Sequence, residues 1–265
     1  MPATVRRAAA ALVTVFAAGQ PRALAHIGPS PQANNRYVKL TLLGDRVRLL
    51  YTVYLGDAPG QQTRRRIDLD RNGTIDADEQ AAFGRELAAT VARHLDARVD
   101  GQRTAVEFAD VNVGIGTPSA AAGAFSVDLV AWLCLPPGRT HELVLWDHWR
   151  PPSPGESELR VEPSPGIDVT YSAFGAGERI SQLQFRWLET RDPRPLDTLG
   201  FHLAFAVGDG APRPDTACGA PAVQATGVRP RRRWWTIAVA IAAAGIAIAA
   251  AARAYRRRGY RNTNG

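Results

Sequence analysis

Tyr37-Val38-Lys39-Leu40-Thr41-Leu42-Leu43-Gly44-Asp45-Arg46-Val47-Arg48-Leu49-Leu50-Tyr51-Thr52-Val53-Tyr54-Leu55 reads as two strands joined by a turn. The first half alternates loosely between apolar and polar residues, and Gly44-Asp45 supplies turn chemistry. In the second half Val47, Leu49, Tyr51 and Val53 fall on one face, as a side-chain period of two requires. A hairpin is therefore expected at the start of the globular part.

Working outward, the text after Val99 returns to strands, with candidates at Thr104–Val111, Ala124–Leu135, His141–Trp146, Ser157–Val161, Ile167–Ser172 and Leu183–Thr190. Pro136-Pro137-Gly138, Pro151-Pro152-Ser153-Pro154-Gly155 and Pro163-Ser164-Pro165-Gly166 punctuate them. Many short strands at this spacing point to a sandwich-like pair of sheets. Trp132, Trp146 and Trp187 each lie in an apolar run and are read as core packing. One helix interrupts the strands, from Asp76 to about Leu95. Its stripe is Phe83, Leu87, Val91 and Leu95, with Ala88 filling between and Asp76 placed to cap the first turn. The expected fold class is thus α+β and β-rich.

Between hairpin and helix lies Asp68-Leu69-Asp70-Arg71-Asn72-Gly73-Thr74-Ile75-Asp76-Ala77-Asp78-Glu79. Ca²⁺ is a hard cation that takes about six to eight oxygens, which a 12-residue loop supplies when ligands recur at alternate positions. Side chains of Asp68, Asp70 and Asn72 occupy positions 1, 3 and 5, the Thr74 carbonyl position 7, and Asp76 position 9. Glu79 at position 12 offers both carboxylate oxygens from the following helix. Gly73 permits the positive φ of the sharp turn, and Ile75 points inward as an apolar pin. An acidic turn that merely caps a helix is the alternative reading.

The loop resembles the EF-hand superfamily, which implies a helix–loop–helix, here over residues 61–95, with Ca²⁺ as the ion. The sequence departs from that pattern upstream: Pro59-Gly60 and Arg64-Arg65-Arg66 leave only a short, poor entering helix, about Gln61 to Ile67. No second such loop follows, whereas EF-hands usually pair at position 8. Both features imply a weak site, in the class of about 10⁻⁴–10⁻³ M. A looser resemblance rests on His26-Ile27-Gly28-Pro29, Asn35-Arg36-Tyr37, Val47-Arg48-Leu49-Leu50-Tyr51 and Glu142-Leu143-Val144-Leu145-Trp146-Asp147-His148. These are similar to the exported N-terminal domain of bacterial nickel/cobalt permease-type proteins. No multi-span permease follows here, so transport itself is not implied.

The ends carry targeting signals. In residues 1–25, Arg6 and Arg7 precede an apolar stretch from Ala8 to Ala18, and Ala23-Leu24-Ala25 forms a small-x-small cleavage site. That stretch is too short to span a bilayer and reads as a secretory signal; the paired arginines leave twin-arginine export as an alternative. Residues 209–233 read as a stalk. Trp234–Ala252 gives 19 uncharged residues, bounded by Trp234, Trp235 and Tyr255 and fenced by arginines on both sides, and reads as a single transmembrane helix. A buried Ala-rich helix, or a sorting signal that is cut off, are its alternatives. Residues 253–265 form a basic tail expected in the cytoplasm.

Net charge follows the same division. Nine arginines after Val228 and three before His26, with no acids in either segment, leave residues 26–228 at −5 against the formal +7 of the chain. The basic balance belongs to the membrane flanks, which excludes a nucleic-acid partner. Cys134 and Cys218 would lie in an oxidising compartment. A bridge between them closes a loop of about 85 residues, worth about 4.5 kcal/mol on chain entropy, while two unpaired thiols are the other possibility.

Five histidines complete the inventory. His26, as the N-terminus after cleavage, has the amine and ring nitrogen that chelate transition metals; His141 and His148 read as surface residues on opposite faces of one strand. No nucleophile elbow, phosphate loop, zinc-spaced cysteine pair or metalloprotease helix motif is present. The expectation is a non-enzymatic, calcium-binding, single-pass membrane protein. Its 26–208 ectodomain would lie on the periplasmic or extracellular side as an interaction or sensing module for an unidentified protein partner. A purely structural calcium site, or an accessory role in nickel/cobalt transport, are the alternatives.

Overall fold

The computed structural model describes residues 32–177, 182–189 and 195–218. The expected signal sequence, His26, most of the stalk, Trp234–Ala252 and the basic tail lie outside the described residues. Among the described residues, no helix is long and apolar enough to cross a membrane.

In chain order the elements are β1 (Asn34–Leu42), β2 (Arg46–Leu55), α1 (Asp57–Ile67), α2 (Ala77–His94), β3 (Leu95–Val99), β4 (Gln102–Thr104) and β5 (Phe108–Gly114). There follow β6 (Phe125–Cys134), β7 (Thr140–Asp147), β8 (Pro154–Pro163), β9 (Ile167–Phe174), β10 (Gln184–Leu188), α3 (Pro195–Thr198) and β11 (Phe201–Val207). The fold is β-rich with two sheets. One has six strands in the order β10-β8-β1-β2-β6-β5, the other five in the order β4-β3-β7-β11-β9. Among the described residues the β1–β8 pairing is parallel and the other ladders are antiparallel.

The expected hairpin is β1–β2, with Leu40 opposite Leu49 and Val38 opposite Tyr51. Alternation decides which face each strand buries. Val38, Leu40, Leu49, Tyr51, Leu129 and Leu133 from the first sheet share one core with Leu143, Leu145, Phe201, Leu203 and Phe205 from the second. A one-residue slip would turn these side chains outward, so burial fixes the register.

Several sequence expectations need correction. Thr104–Val111 is not one strand: β4 ends at Thr104 and β5 starts at Phe108. Two strands were not anticipated. Leu95 ends the helical stripe but also opens β3, where Leu95, Ala97 and Val99 are buried in alternation. β3 then turns through Asp100 and Gly101, both at positive φ (50° and 77°), into β4, the geometry of a two-residue hairpin loop. β11 alternates over its full length, a period-two signal that was present in the sequence.

The tryptophans also divide differently. Trp187 is buried, but Trp132 and Trp146 are half-buried, with Arg46 and Arg48 near the Trp132 ring and Arg98 near that of Trp146. Trp149, outside the strands, is the buried one the sequence did not single out.

Cys134 and Cys218 form a disulfide, with Cα atoms 5.6 Å apart across a sequence separation of 84. The bridge ties the segment after β11 to the end of β6. Arg46 holds the same segment by donating to the Thr216 carbonyl at 2.5 Å.

Candidate metal centre

α1 is longer than the sequence suggested, beginning at Asp57 rather than about Gln61. Pro59 lies within the first turn, where backbone N–H groups have no partner inside the helix, so its missing donor costs nothing. Gly60 is required for contact: a Cβ there would come within 2.8 Å of the Gly123 carbonyl oxygen. The helix is held by packing on the 115–124 segment rather than by intrinsic propensity.

α2 starts as expected. Asp76 is its N-cap, accepting from the Glu79 N–H at 2.8 Å, while Glu79 Oε2 accepts from the Asp76 N–H at 3.1 Å. This reciprocal capping box fixes where Glu79 points. Its other oxygen, Oε1, accepts the Leu69 N–H at 2.6 Å across the loop. Gly84 lets α2 approach β5, since a Cβ there would meet Val111 and Val113 at 2.8 and 3.0 Å.

Between the helices, Asp68, Asp70 and Glu79 bring ligand oxygens within 4.8 Å of one another. Asp68 and Glu79 are buried and Asp70 is exposed. Asp68 Oδ2 accepts the Gly73 N–H at 3.0 Å, but Asp68 Oδ1 is buried and has no hydrogen-bond partner. A buried carboxylate oxygen without a donor is costly, and a cation at the cluster would relieve it.

The remaining expected ligands sit around this trio. Asn72 donates to Asp70 Oδ2 at 2.7 Å and accepts the Thr74 N–H at 2.7 Å. Thr74 forms an isolated antiparallel bridge with Ser119, flanked by Ile75 N–H to Pro118 O at 2.7 Å and Ala120 N–H to Gly73 O at 3.0 Å. In that pattern the N–H and C=O of Thr74 face away from Ser119, and the N–H is the group that Asn72 Oδ1 meets. Asp76 spends one oxygen on its cap. Thus the structure gathers Asp68, Asp70 and Glu79, with Asn72, Thr74 and Asp76 on the same loop. Gly73 takes the expected positive φ of 83°, and Arg71 is also left-handed at 59°, which sequence reading did not foresee.

The 115–124 segment was missed by sequence reasoning; its Thr117-Pro118-Ser119 run reads only as a connection. Its role follows from contacts that no local pattern encodes.

A second buried constellation unites residues that the looser family resemblance had singled out separately. Arg36 Nη1 meets Asp147 Oδ2 at 2.6 Å, and the Tyr51 hydroxyl donates to the same oxygen at 2.7 Å. Arg36 also pairs with Glu189, which accepts from Ser157 Oγ at 2.6 Å and Trp187 Nε1 at 2.9 Å. Burial pushes the Asp147 carboxyl up from its ordinary range although Arg36 and its donors pull it down. For Arg36 burial pulls downward, yet the charges of Asp147 and Glu189 leave the guanidinium net raised. These groups are buried and bonded to one another, which suits a packing role.

The histidines behave unevenly. His141 is buried, correcting the surface reading, because Asp100 at the β3–β4 turn reaches its Nδ1 at 2.9 Å. His148 is exposed and meets Asp197 at 2.6 Å. No family model matches the chain, and no curated protein matches it.

Proposed function

We propose that this chain is an exported, membrane-anchored calcium-binding protein whose β-rich, sandwich-like ectodomain carries one EF-hand-type helix–loop–helix and serves as an interaction or sensing module. The reading is carried by the buried, unpartnered Asp68 Oδ1 at the centre of a carboxylate trio whose oxygens lie within 4.8 Å. Hard oxygen donors with no sulfur and no imidazole among them suit Ca²⁺ or Mg²⁺ over softer transition metals. Glu79 can offer two oxygens, and Ca²⁺ tolerates the resulting irregular shell better than Mg²⁺, which favours calcium. When bound, the ion would be held by Asp68, Asp70, Asn72, the Thr74 carbonyl, Asp76 and Glu79. Anchoring rests on the uncharged, arginine-fenced Trp234–Ala252.

The test is calorimetric titration of the purified full-length chain with Ca²⁺ and Mg²⁺. Saturable Ca²⁺ binding that outcompetes Mg²⁺ supports the reading; absence of Ca²⁺ binding removes it. A second reading, in which the ion only stiffens the junction of the loop with the sheet region, draws on the two hydrogen bonds that tie Gly73 and Ile75 to the 118–120 segment. Amide exchange separates the two. Slowing confined to 68–79 on calcium addition favours sensing, and slowing spread over the strands favours the structural role.

A further inference from the structure

Arg64 is 1% exposed, and among the described residues no carboxylate pairs with it. Its guanidinium is spent on backbone carbonyls. Nε donates to Gly123 O at 2.9 Å, and Nη1 to Thr117 O at 2.8 Å and Ser119 O at 3.2 Å. Nη2 donates to Ile115 O and to Ala124 O, the latter at 3.4 Å, and the group lies 5.0 Å from the centre of the Phe125 ring. Burying a cation without a counter-charge is costly unless its donors are all used, and here the fork is matched to five acceptors.

The same face of α1 adds to this grip. Asp57, Gln61 and Arg64 are spaced four and three apart, so they project from one side of the helix. Asp57 Oδ1 accepts the Ala124 N–H at 3.2 Å, and Gln61 Nε2 donates to Ala121 O at 2.9 Å. The segment thus held is the one that pairs with the acidic loop through Pro118 and Ala120, on either side of Thr74.

We propose that Arg64 is a positioning residue for the metal loop: by holding the carbonyls of residues 115–124 it fixes the strand-like partner that aims the Thr74 carbonyl, and so sets the calcium affinity. The inference rests on the calcium reading. It assigns to one buried side chain, acting through the 117–120 segment, the part that a second paired loop would otherwise play. Arg64→Lys retains the charge but offers a compact ammonium with three donors, which cannot span carbonyls distributed over ten residues.

The experiment measures the Ca²⁺ dissociation constant of the full-length wild type, Arg64→Lys and Gln61→Ala, by calorimetry at a temperature where circular dichroism shows each to be folded. Amide exchange at Ile75 and Ala120 is followed in parallel. Arg64→Lys is expected to bind about 10- to 100-fold more weakly, the usual loss when a group that orients metal ligands is removed. Gln61→Ala should weaken binding less, with faster exchange at both amides in each variant. Wild-type affinity in a folded Arg64→Lys overturns the inference while leaving the calcium reading standing. If Arg64→Lys does not fold, unchanged affinity and exchange in Gln61→Ala overturn it. Lack of binding by the wild type defeats the calcium reading, and this inference with it.

Discussion

Ile75 and Pro118 are joined by a backbone hydrogen bond of 2.7 Å. Ile75 is the eighth residue of the acidic loop, the position at which loops of the resembled family pair with one another. Here the partner of Ile75 lies in the connection between β5 and β6. The Ile75 side chain is 1% exposed and belongs to the common core. Ile75→Ala should therefore cost about 2–4 kcal/mol by the loss of buried methylenes and the cavity left behind. Urea denaturation in the presence of a chelator measures this directly. A change below about 1 kcal/mol would mean that the site collapses freely and the loop is not pinned by this residue.

Arg71 and Gly73 occupy left-handed backbone in the same loop but are opposite in fitness for it. A non-glycine residue in that region costs about 1 kcal/mol or more, so Arg71→Gly should leave the metal-free protein as stable or more stable. It should also tighten calcium binding by removing a positive charge beside the carboxylates. Gly73→Ala should destabilise, even though a Cβ there would meet nothing within 4 Å, because its φ is 83°. Thermal denaturation of both variants in chelator, followed by calcium titration, checks the pair of signs. A stabilising Gly73→Ala would contradict the loop geometry.

The Cys134–Cys218 bridge closes a loop with a sequence separation of 84. On chain entropy such a loop is worth about 4.5 kcal/mol. Reduction should lower the denaturation midpoint by a corresponding amount without altering calcium affinity, since neither cysteine touches the acidic loop. Non-reducing peptide mapping should recover the two cysteines in one cross-linked fragment. Free thiols in protein purified from an oxidising compartment would contradict the pairing.

Tyr51 gives the fold a pH signature. Burial raises its phenol well above the ordinary value, and the negative charge of Asp147 raises it further, against a partial offset from Arg36. The folded chain therefore holds this proton more tightly than the unfolded chain does. The associated stability is complete below about pH 10, where the unfolded phenol titrates, and is lost as pH rises towards the folded value. Alkaline unfolding should begin near there, and Tyr51→Phe should remove one phenolate whose absorbance appears only as secondary structure is lost. A wild-type difference spectrum showing every tyrosine ionised while the circular dichroism is intact would contradict this.

How much of this was legible in the sequence differs by element. Local chemistry read well: the β1–β2 hairpin and the Asp76 cap are consequences of residues a few positions apart. What depends on distant contacts did not. Arg64 reads as one of three arginines in a short, poor entering helix, yet it is the buried one, because its partners lie 51 to 60 residues further along. The extension of α1 back to Asp57 is stabilised by those same contacts, against the propensity of Pro59 and Gly60. His141 was misread because Asp100, which satisfies it, is brought near only by the β3–β7 ladder. β3 was hidden because Leu95 satisfies the helical and the strand period at once.

Calcium binding by the trio around Asp68 Oδ1 carries the proposed function. Titration of the full-length chain and of Glu79→Gln tests this most directly, since the substitution keeps the size of the side chain but removes the charge and one strong ligand oxygen. The expected result is saturable Ca²⁺ binding by the wild type, accompanied by about 2.7 kcal/mol of added stability at 100 times its dissociation constant. For Glu79→Gln, binding at least about tenfold weaker is expected. Calcium binding that is absent in the wild type, or unchanged in Glu79→Gln, would contradict the assignment of this loop as the metal centre.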